Sequence, residues 1–363
     1  MSDQEKYENA LAAAGAPLLE CLTGFEAVMR RLHPPELDAL RDLMRPRRDA
    51  LAVGLEVLAG EQPPEPLAAF HERFRAGAVR LRDSLDLFLA DEPAGQPIMA
   101  VLAAMQKYTE ALELLYVLHR FPPIGRFFVE EPVRDRLDDL DVDQPEGVTV
   151  GLHRTGGDDP AERGGFCLYI PESYDGTREL PLVIALHGGS GNGRGFLWSW
   201  LREARSRGFA LLAPTSRGPT WSLSGPDIDI EPVRAMIELV CERWKIDRER
   251  VLLTGLSDGA TYTLIAGLRE AAPFAALAPF SGVLHPAAET GGALEHAAGR
   301  RIYLVHGALD WMFPVQTARR AAEVLEKAGA QIVYREITDL SHTYAREENA
   351  RILEWFDPTL ALS

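Results

Sequence analysis

The chain has 363 residues, 46% of them hydrophobic, and a formal net charge of −16. That length suits two domains, and that apolar content supplies a sizeable core, which excludes wholesale disorder. An acidic surface repels phosphate backbones and anionic lipid headgroups, so neither nucleic acid nor a membrane is an expected partner.

Cys21, Cys167 and Cys241 are far apart and form neither a disulfide framework nor a CxxC metal pattern. They are expected as buried small hydrophobes in a reducing compartment. The start, MSDQEKYENA, is polar and acidic and lacks the basic opening of a secretory signal. The apolar run near 11–22 is interrupted by Gly15 and Pro17. No stretch approaches the roughly 18 uninterrupted apolar residues of a membrane span. A soluble, cytoplasmic protein is expected.

The first third has helical rhythm. Leu18, Leu22, Phe25, Met29 and Leu32 step by four and three. Leu37, Leu40, Met44, Leu51, Leu55 and Leu58 form a second stripe; Leu67, Phe70, Phe74, Leu81, Leu85 and Phe88 a third; Ile98, Val101, Met105, Tyr108, Leu112 and Leu115 a fourth. Each stripe turns one apolar face toward its neighbours. Prolines mark the joints at His33-Pro34-Pro35, Gln62-Pro63-Pro64 and Pro93-Ala94-Gly95, and Pro46 should kink or end the second helix. The expectation is a helical bundle over 1–125, with core packing rather than metal binding for its isolated histidines, since no Glu-x-x-His pair is present. Residues 126–146 are rich in Asp and Glu and read as an acidic surface connector.

From 147 to 363 short apolar runs alternate with helical patterns. Strands are expected at 148–153, 166–170, 182–186, 210–213, 251–254, 274–279, 302–305 and 332–337, and helices at 197–206, 231–244, 261–270, 316–328 and 346–355. This alternation predicts an eight-stranded, mainly parallel α/β sheet with helices on both faces and an antiparallel opening pair at its edge.

Gly255-Leu256-Ser257-Asp258-Gly259 follows a buried strand and precedes a helix, which is the setting of a nucleophile elbow. Ser257 would stand over a helix N-terminus, where backbone N–H groups and the helix dipole suit an oxyanion. A serine hydroxyl needs an imidazole to take its proton and a carboxylate to hold that imidazole's tautomer. In α/β-hydrolases the chain order is Ser, acid, His. Asp310 follows the strand at 302–305, and His342 follows the last strand. Asp339 is too near His342 in sequence to reach its far ring nitrogen. His285 and His296 fall too early, and His306 is expected to pack or hydrogen-bond inside. Because neutral imidazole is required, activity is expected to fall below about pH 6.5.

The loop His187-Gly188-Gly189-Ser190-Gly191-Asn192-Gly193 would bring backbone close to substrate. The expected oxyanion donors are the N–H groups of Gly189 and Asp258, with Gly188, Trp221 and Trp311 expected against substrate. The Asp258 side chain has two readings: a helix-start residue turned away from the site, or a contact for a cationic substrate. The loop fails both the G-x-G-x-x-G and P-loop patterns, and no H-E-x-x-H zinc pair exists, so no cofactor and no metal are expected.

At Leu186-His187-Gly188-Gly189, Gly255–Gly259, Phe280-Ser281-Gly282, His306–Asp310 and Phe313-Pro314 the chain resembles the α/β-hydrolase superfamily, and within it the phospholipase/carboxylesterase group. A likeness to polyester depolymerases is also present, and the resemblance covers roughly 147–358. It implies hydrolysis of carboxylic esters or thioesters without metal or cofactor. The residue after the serine, Asp258, departs from the Gln or Ala frequent in that group, and the helical first third has no counterpart in small esterases. The expectation is a carboxylesterase acting on small or medium acyl esters. A peptidase, amidase or thioesterase with the same triad is one alternative, and a scaffold working through the bundle is another. The bundle is expected to serve as a lid, a docking module or a homo-oligomer contact.

Overall fold

The computed structural model describes residues 2–90, 97–156 and 162–362. The joint at Pro93-Ala94-Gly95 and the side chain of Ile98 lie outside the described residues. Contacts divide the chain into Met1–Leu137 and Asp138–Ser363.

The first unit holds four long helices: α1 (Asp3–Arg30), α2 (Leu37–Ala59), α3 (Ala68–Leu89) and α4 (Pro97–Tyr116). A capping box between Ser2 and Glu5 starts α1. Its buried residues, Tyr7, Ala10, Ala14, Leu18, Cys21, Leu22, Phe25 and Val28, recur at helical spacing along one face. The second stripe is buried throughout. The fourth turns differently: Met105 is 45% exposed, and Val101, Ala104, Ala111, Leu112 and Leu115 face inward. By length and composition, α1 is long and apolar enough to cross a membrane.

Neither internal proline ends its helix. Pro17 lies inside α1 and Pro46 inside α2. Proline leaves the carbonyl four residues back without an intrahelical donor, at a cost that tertiary burial must offset. For Pro17 that carbonyl belongs to Ala13. Gly54 of α2 comes so close to it that any side chain there would collide with the Ala13 backbone. The orphaned acceptor thus lies against the Gly54 Cα–H rather than open solvent.

The expected connector is partly packed. Phe127, Phe128, Val129, Val133 and Leu137 are buried, so 126–137 joins the first unit. Acidic composition masked an apolar set too irregularly spaced to give a stripe. Asp141, in the second unit, pairs with the buried Arg205 at 2.8 Å, and Arg205 also holds Glu172 at 2.7 Å. Cys21 is buried, but Cys167 and Cys241 are only half-buried.

The second unit is built on one sheet of order β1-β2-β4-β3-β5-β6-β7-β8. The strands are β1 (Gly151–Arg154), β2 (Phe166–Ile170), β3 (Leu180–Leu186), β4 (Ala210–Pro214), β5 (Ile246–Leu256), β6 (Ala276–Phe280), β7 (Arg301–Gly307) and β8 (Gln331–Ile337). β1 pairs antiparallel with β2, and β2 antiparallel with β4; every other pairing is parallel. Strands β3, β4 and β6 are buried along their whole length, which explains why they read as unbroken apolar runs. Among the described residues the longer helices of this unit are α5 (Leu201–Arg207), α6 (Ile230–Arg243), α7 (Asp258–Gly267), α8 (Val315–Lys327) and α9 (Glu348–Phe356). The parallel strands put the loops after β3, β4, β5, β7 and β8 at one sheet edge, where ligands of such folds bind.

Candidate active site

Ser257 stands between β5 and α7 with φ 56° and ψ −116°, a backbone state costly for a residue with a side chain. Its surroundings enforce the turn. A Cβ on Gly255 would lie 2.5 Å from the Gly259 carbonyl, and one on Gly259 would lie 2.5 Å from the His187 carbonyl oxygen. The Ser257 N–H donates to the Phe280 carbonyl at 2.9 Å, tying the elbow to β6.

The loops after β7 and β8 bring the other two expected residues to it. His342 Nε2 lies 2.9 Å from Ser257 Oγ, and His342 Nδ1 lies 2.8 Å from Asp310 Oδ2. Asp310 Oδ1 accepts from the N–H groups of Met312 at 2.9 Å and Phe313 at 2.8 Å. Burial pushes the Asp310 carboxyl up, but the hydrogen bonds from His342 and the Phe313 N–H outweigh it and hold the group below its ordinary range. These loops meet tightly: a Cβ on Gly307 would lie 2.6 Å from the Ser341 carbonyl oxygen.

His306 lies behind the acid. It is buried, its Nε2 is 2.8 Å from the Phe313 carbonyl and 3.5 Å from Asp310 Oδ2, and burial lowers its proton affinity. Nε2 therefore carries the hydrogen, and the ring fixes the turn that donates to Asp310. His285 caps a short helix elsewhere, with its Nδ1 accepting from Ala287 N–H at 3.3 Å.

The glycine loop lies alongside the elbow. A Cβ on Gly188 would come 3.6 Å from Ser257 Cβ, and one on Gly189 would come 2.6 Å from Asp258 Oδ2. Among the described residues, the backbone N–H groups of Gly189 and Asp258 have no hydrogen-bond partner. His187 pins the loop from below. Its Nδ1 is 2.7 Å from the Gly188 carbonyl and its Nε2 accepts from Ser216 N–H at 3.1 Å. Burial depresses its pKa to about 4.

Trp221 does not face the site. It is only 2% exposed, donates from its indole N–H to the His187 carbonyl at 2.8 Å, and stacks on Tyr262. The expected substrate contact is therefore a support beneath the glycine loop, a placement set by pairings remote in sequence. Trp311 is 46% exposed, with its ring centroid 6.5 Å from that of His342.

Two supports escaped sequence reasoning. Arg163 donates from Nη1 to the Gly191 carbonyl and from Nε to the Gly218 carbonyl, each at 2.8 Å, and from Nη2 to the Ser216 hydroxyl. Thr220 donates its hydroxyl to Asp258 Oδ2 at 2.6 Å. The Asp258 side chain is thus anchored across the site to the loop after β4, which neither sequence reading anticipated. Nothing in the local sequence marks either residue. Among the described residues no group of His, Cys, Asp and Glu is arranged to hold a metal ion.

A buried, mainly parallel sheet with a strained serine turn at its edge defines the class: Asp138–Ser363 is an α/β-hydrolase-fold unit. The model of the phospholipase/carboxylesterase family matches residues 229–359, the span that holds Ser257, Asp310 and His342. Among curated proteins, the chain is 26% identical over 200 residues to the oxidized polyvinyl alcohol hydrolase of Sphingopyxis sp. (strain 113P3), covering 53% of this chain and 52% of that protein. The chain spans about half the length of that relative. Among solved structures it is similar to a thermostable esterase, with TM-score 0.48 and 22% identity over 56% of this chain and 62% of that one. It is also similar to the acetyl xylan esterase from Aspergillus awamori, with TM-score 0.45 and 18% identity over 57% of this chain and 98% of that one.

Proposed function

We propose that the second unit is a serine carboxylesterase that hydrolyses small or medium acyl esters through an acyl-enzyme. The observation that carries this reading is the continuous chain from Ser257 Oγ to His342 Nε2, at 2.9 Å, and from His342 Nδ1 to Asp310 Oδ2, at 2.8 Å. In this reading His342 accepts the Ser257 proton as the hydroxyl oxygen bonds to the ester carbonyl carbon. The carbonyl oxygen becomes an oxyanion facing the two unengaged N–H groups of Gly189 and Asp258. Collapse of the tetrahedral species breaks the bond to the alcohol oxygen, which leaves with the proton from His342. Water, deprotonated by the same imidazole, then attacks the acyl-enzyme and restores Ser257. Asp310, ionised and hydrogen-bonded on both oxygens, holds Nδ1–H in place and stabilises the imidazolium.

The partner in this reading is a small ester, and the net charge of −16 supports a protein that avoids nucleic acid and anionic membranes. The cytoplasm is the compartment we propose for it. A series of p-nitrophenyl esters of increasing acyl length, run against p-nitroanilides of the same acids, tests the reaction class. Ester turnover peaking at short or medium chains, with anilides cleaved far more slowly, is the expected outcome. Anilides cleaved as fast as esters would overturn the esterase reading in favour of an amidase.

A further inference from the structure

We propose that the Asp258 carboxylate selects substrate by charge, favouring esters with a cationic nitrogen a few bonds from the scissile carbonyl and disfavouring those with a carboxylate there. This inference rests on the hydrolase reading above and adds a substrate class to it.

Asp258 follows Ser257 directly and opens α7. Its two oxygens differ. Oδ2 accepts from Thr220 Oγ1 at 2.6 Å and runs against Gly189, where a Cβ would lie 2.6 Å away. Oδ1 takes no hydrogen bond from any described residue, and Asp258 is half-buried rather than enclosed. Among the described residues no lysine or arginine pairs with this carboxylate.

Carboxylates on the neighbouring segments are compensated. Asp227 pairs with Arg269 at 2.5 Å and accepts from the Tyr262 hydroxyl. Asp229 accepts from Arg217 N–H, Ser222 N–H and the Ser222 hydroxyl. Asp310 is engaged by His342 and two backbone N–H groups. Asp258 differs from these three in having one carboxylate oxygen with no donor among the described residues.

A helix N-terminus favours that charge in the resting protein. During acyl transfer the balance changes. A negative charge held beside Gly189 opposes the oxyanion that forms there, which slows the reaction of a neutral ester. A substrate cation placed near both charges reverses the sign. Thr220 fixes the carboxylate in one position, so the selecting charge is already oriented and reorganises little on binding. With charges about 6 Å apart, an effective dielectric near 20 and screening by physiological salt, the preference is on the order of tenfold.

Three p-nitrophenyl esters test this: γ-(trimethylammonio)butyrate, its uncharged tert-butyl isostere, and the hemiglutarate. The parent protein should show kcat/KM about tenfold higher for the cationic ester than for its isostere, and lowest for the hemiglutarate. Asp258→Asn should bring the three together, and added salt should do the same in the parent. A variant that loses activity on all three in proportion, keeping their ratios, would make Asp258 a structural residue and overturn the proposal. So would a parent with no ranking, or a ranking insensitive to salt. Failure of the parent to cleave any ester or to react with a fluorophosphonate would instead overturn the hydrolase reading, and this proposal with it.

Discussion

Arg163 donates from Nη1 to the Gly191 carbonyl at 2.8 Å, and so holds the glycine loop after β3 from its outer side. The same guanidinium reaches Gly218 and Ser216, which links that loop to the one after β4. Arg163→Met leaves the Gly191 carbonyl and the Ser216 hydroxyl oxygen without their donor, and the Gly218 carbonyl with only the Ser216 hydroxyl at 2.9 Å, a loss of about 2 kcal/mol in stability or more. Loosening the loop also unfixes the Gly189 N–H, so kcat should fall about tenfold with a smaller change in KM. Arg163→Lys should recover only part of the rate, because an ammonium lacks the planar fork. Steady-state kinetics of the two variants, with urea unfolding, check this; unchanged kcat in Arg163→Met would remove the loop from the account.

Gly189 allows no side chain while Asp258 holds its present rotamer, given the 2.6 Å separation. Gly189→Ala should therefore reduce kcat by about tenfold to a hundredfold, since displacing one oxyanion donor has effects of this order. The cost should shrink in an Asp258→Ala background, where the colliding carboxylate is gone. A double-mutant cycle on kcat measures that coupling directly, and simple additivity would argue against the clash.

His187 ties stability to pH. In the unfolded chain its imidazole protonates near about 6.5, whereas burial delays protonation in the folded protein to about 4. Above the unfolded value neither state holds the proton and the contribution is whole. As pH falls from there toward about 4, the unfolded chain takes up the proton first, and up to about 3 kcal/mol of stability is lost. Protonation would also set a second N–H against the Ser216 N–H that Nε2 now accepts. His187→Asn keeps a donor for the Gly188 carbonyl but does not titrate. Urea midpoints near pH 7.5 and 4.5 should show the gap between parent and variant narrowing by about 2–3 kcal/mol at the acid end; a constant gap would assign the acid lability to other groups.

The helical unit has its own test at Gly54, which meets the Ala13 backbone, and Gly77, which meets the side chain of Leu115. Backbone cannot step aside, whereas a leucine can change rotamer. Gly54→Ala should destabilise the unit by about 2–3 kcal/mol or more and Gly77→Ala by less, the range of overpacking costs. Thermal unfolding of both variants gives the ranking, and equal effects would contradict the close approach at Ala13.

How much of this could be read from residues alone follows from the range of the interactions. Phe166–Ile170 matches its expected bounds to the residue and each described strand overlaps an expected run, because short apolar runs between turns mark strands whether they pair parallel or antiparallel. The meeting of Ser257, Asp310 and His342 at one sheet edge is legible in the sequence because topology fixes the chain order of the loops that carry them. Pro46 does not end α2, because the buried face along that helix outweighs local propensity. Trp221 misled because position near an edge does not tell which way an indole turns. Arg163 and Thr220 were silent: one acts on carbonyls 28 and 55 residues away, the other on a carboxylate 38 residues away. Long-range polar pairings of this kind leave no period in the sequence.

The central claim is that Ser257 is a nucleophile activated by His342. Incubation with a fluorophosphonate, followed by intact mass and peptide mapping, tests it most directly. The account predicts one covalent adduct on the Ser257 peptide, none in Ser257→Ala, and labelling slowed by about a thousandfold or more in His342→Ala. Equal labelling of Ser257→Ala and the parent would contradict it.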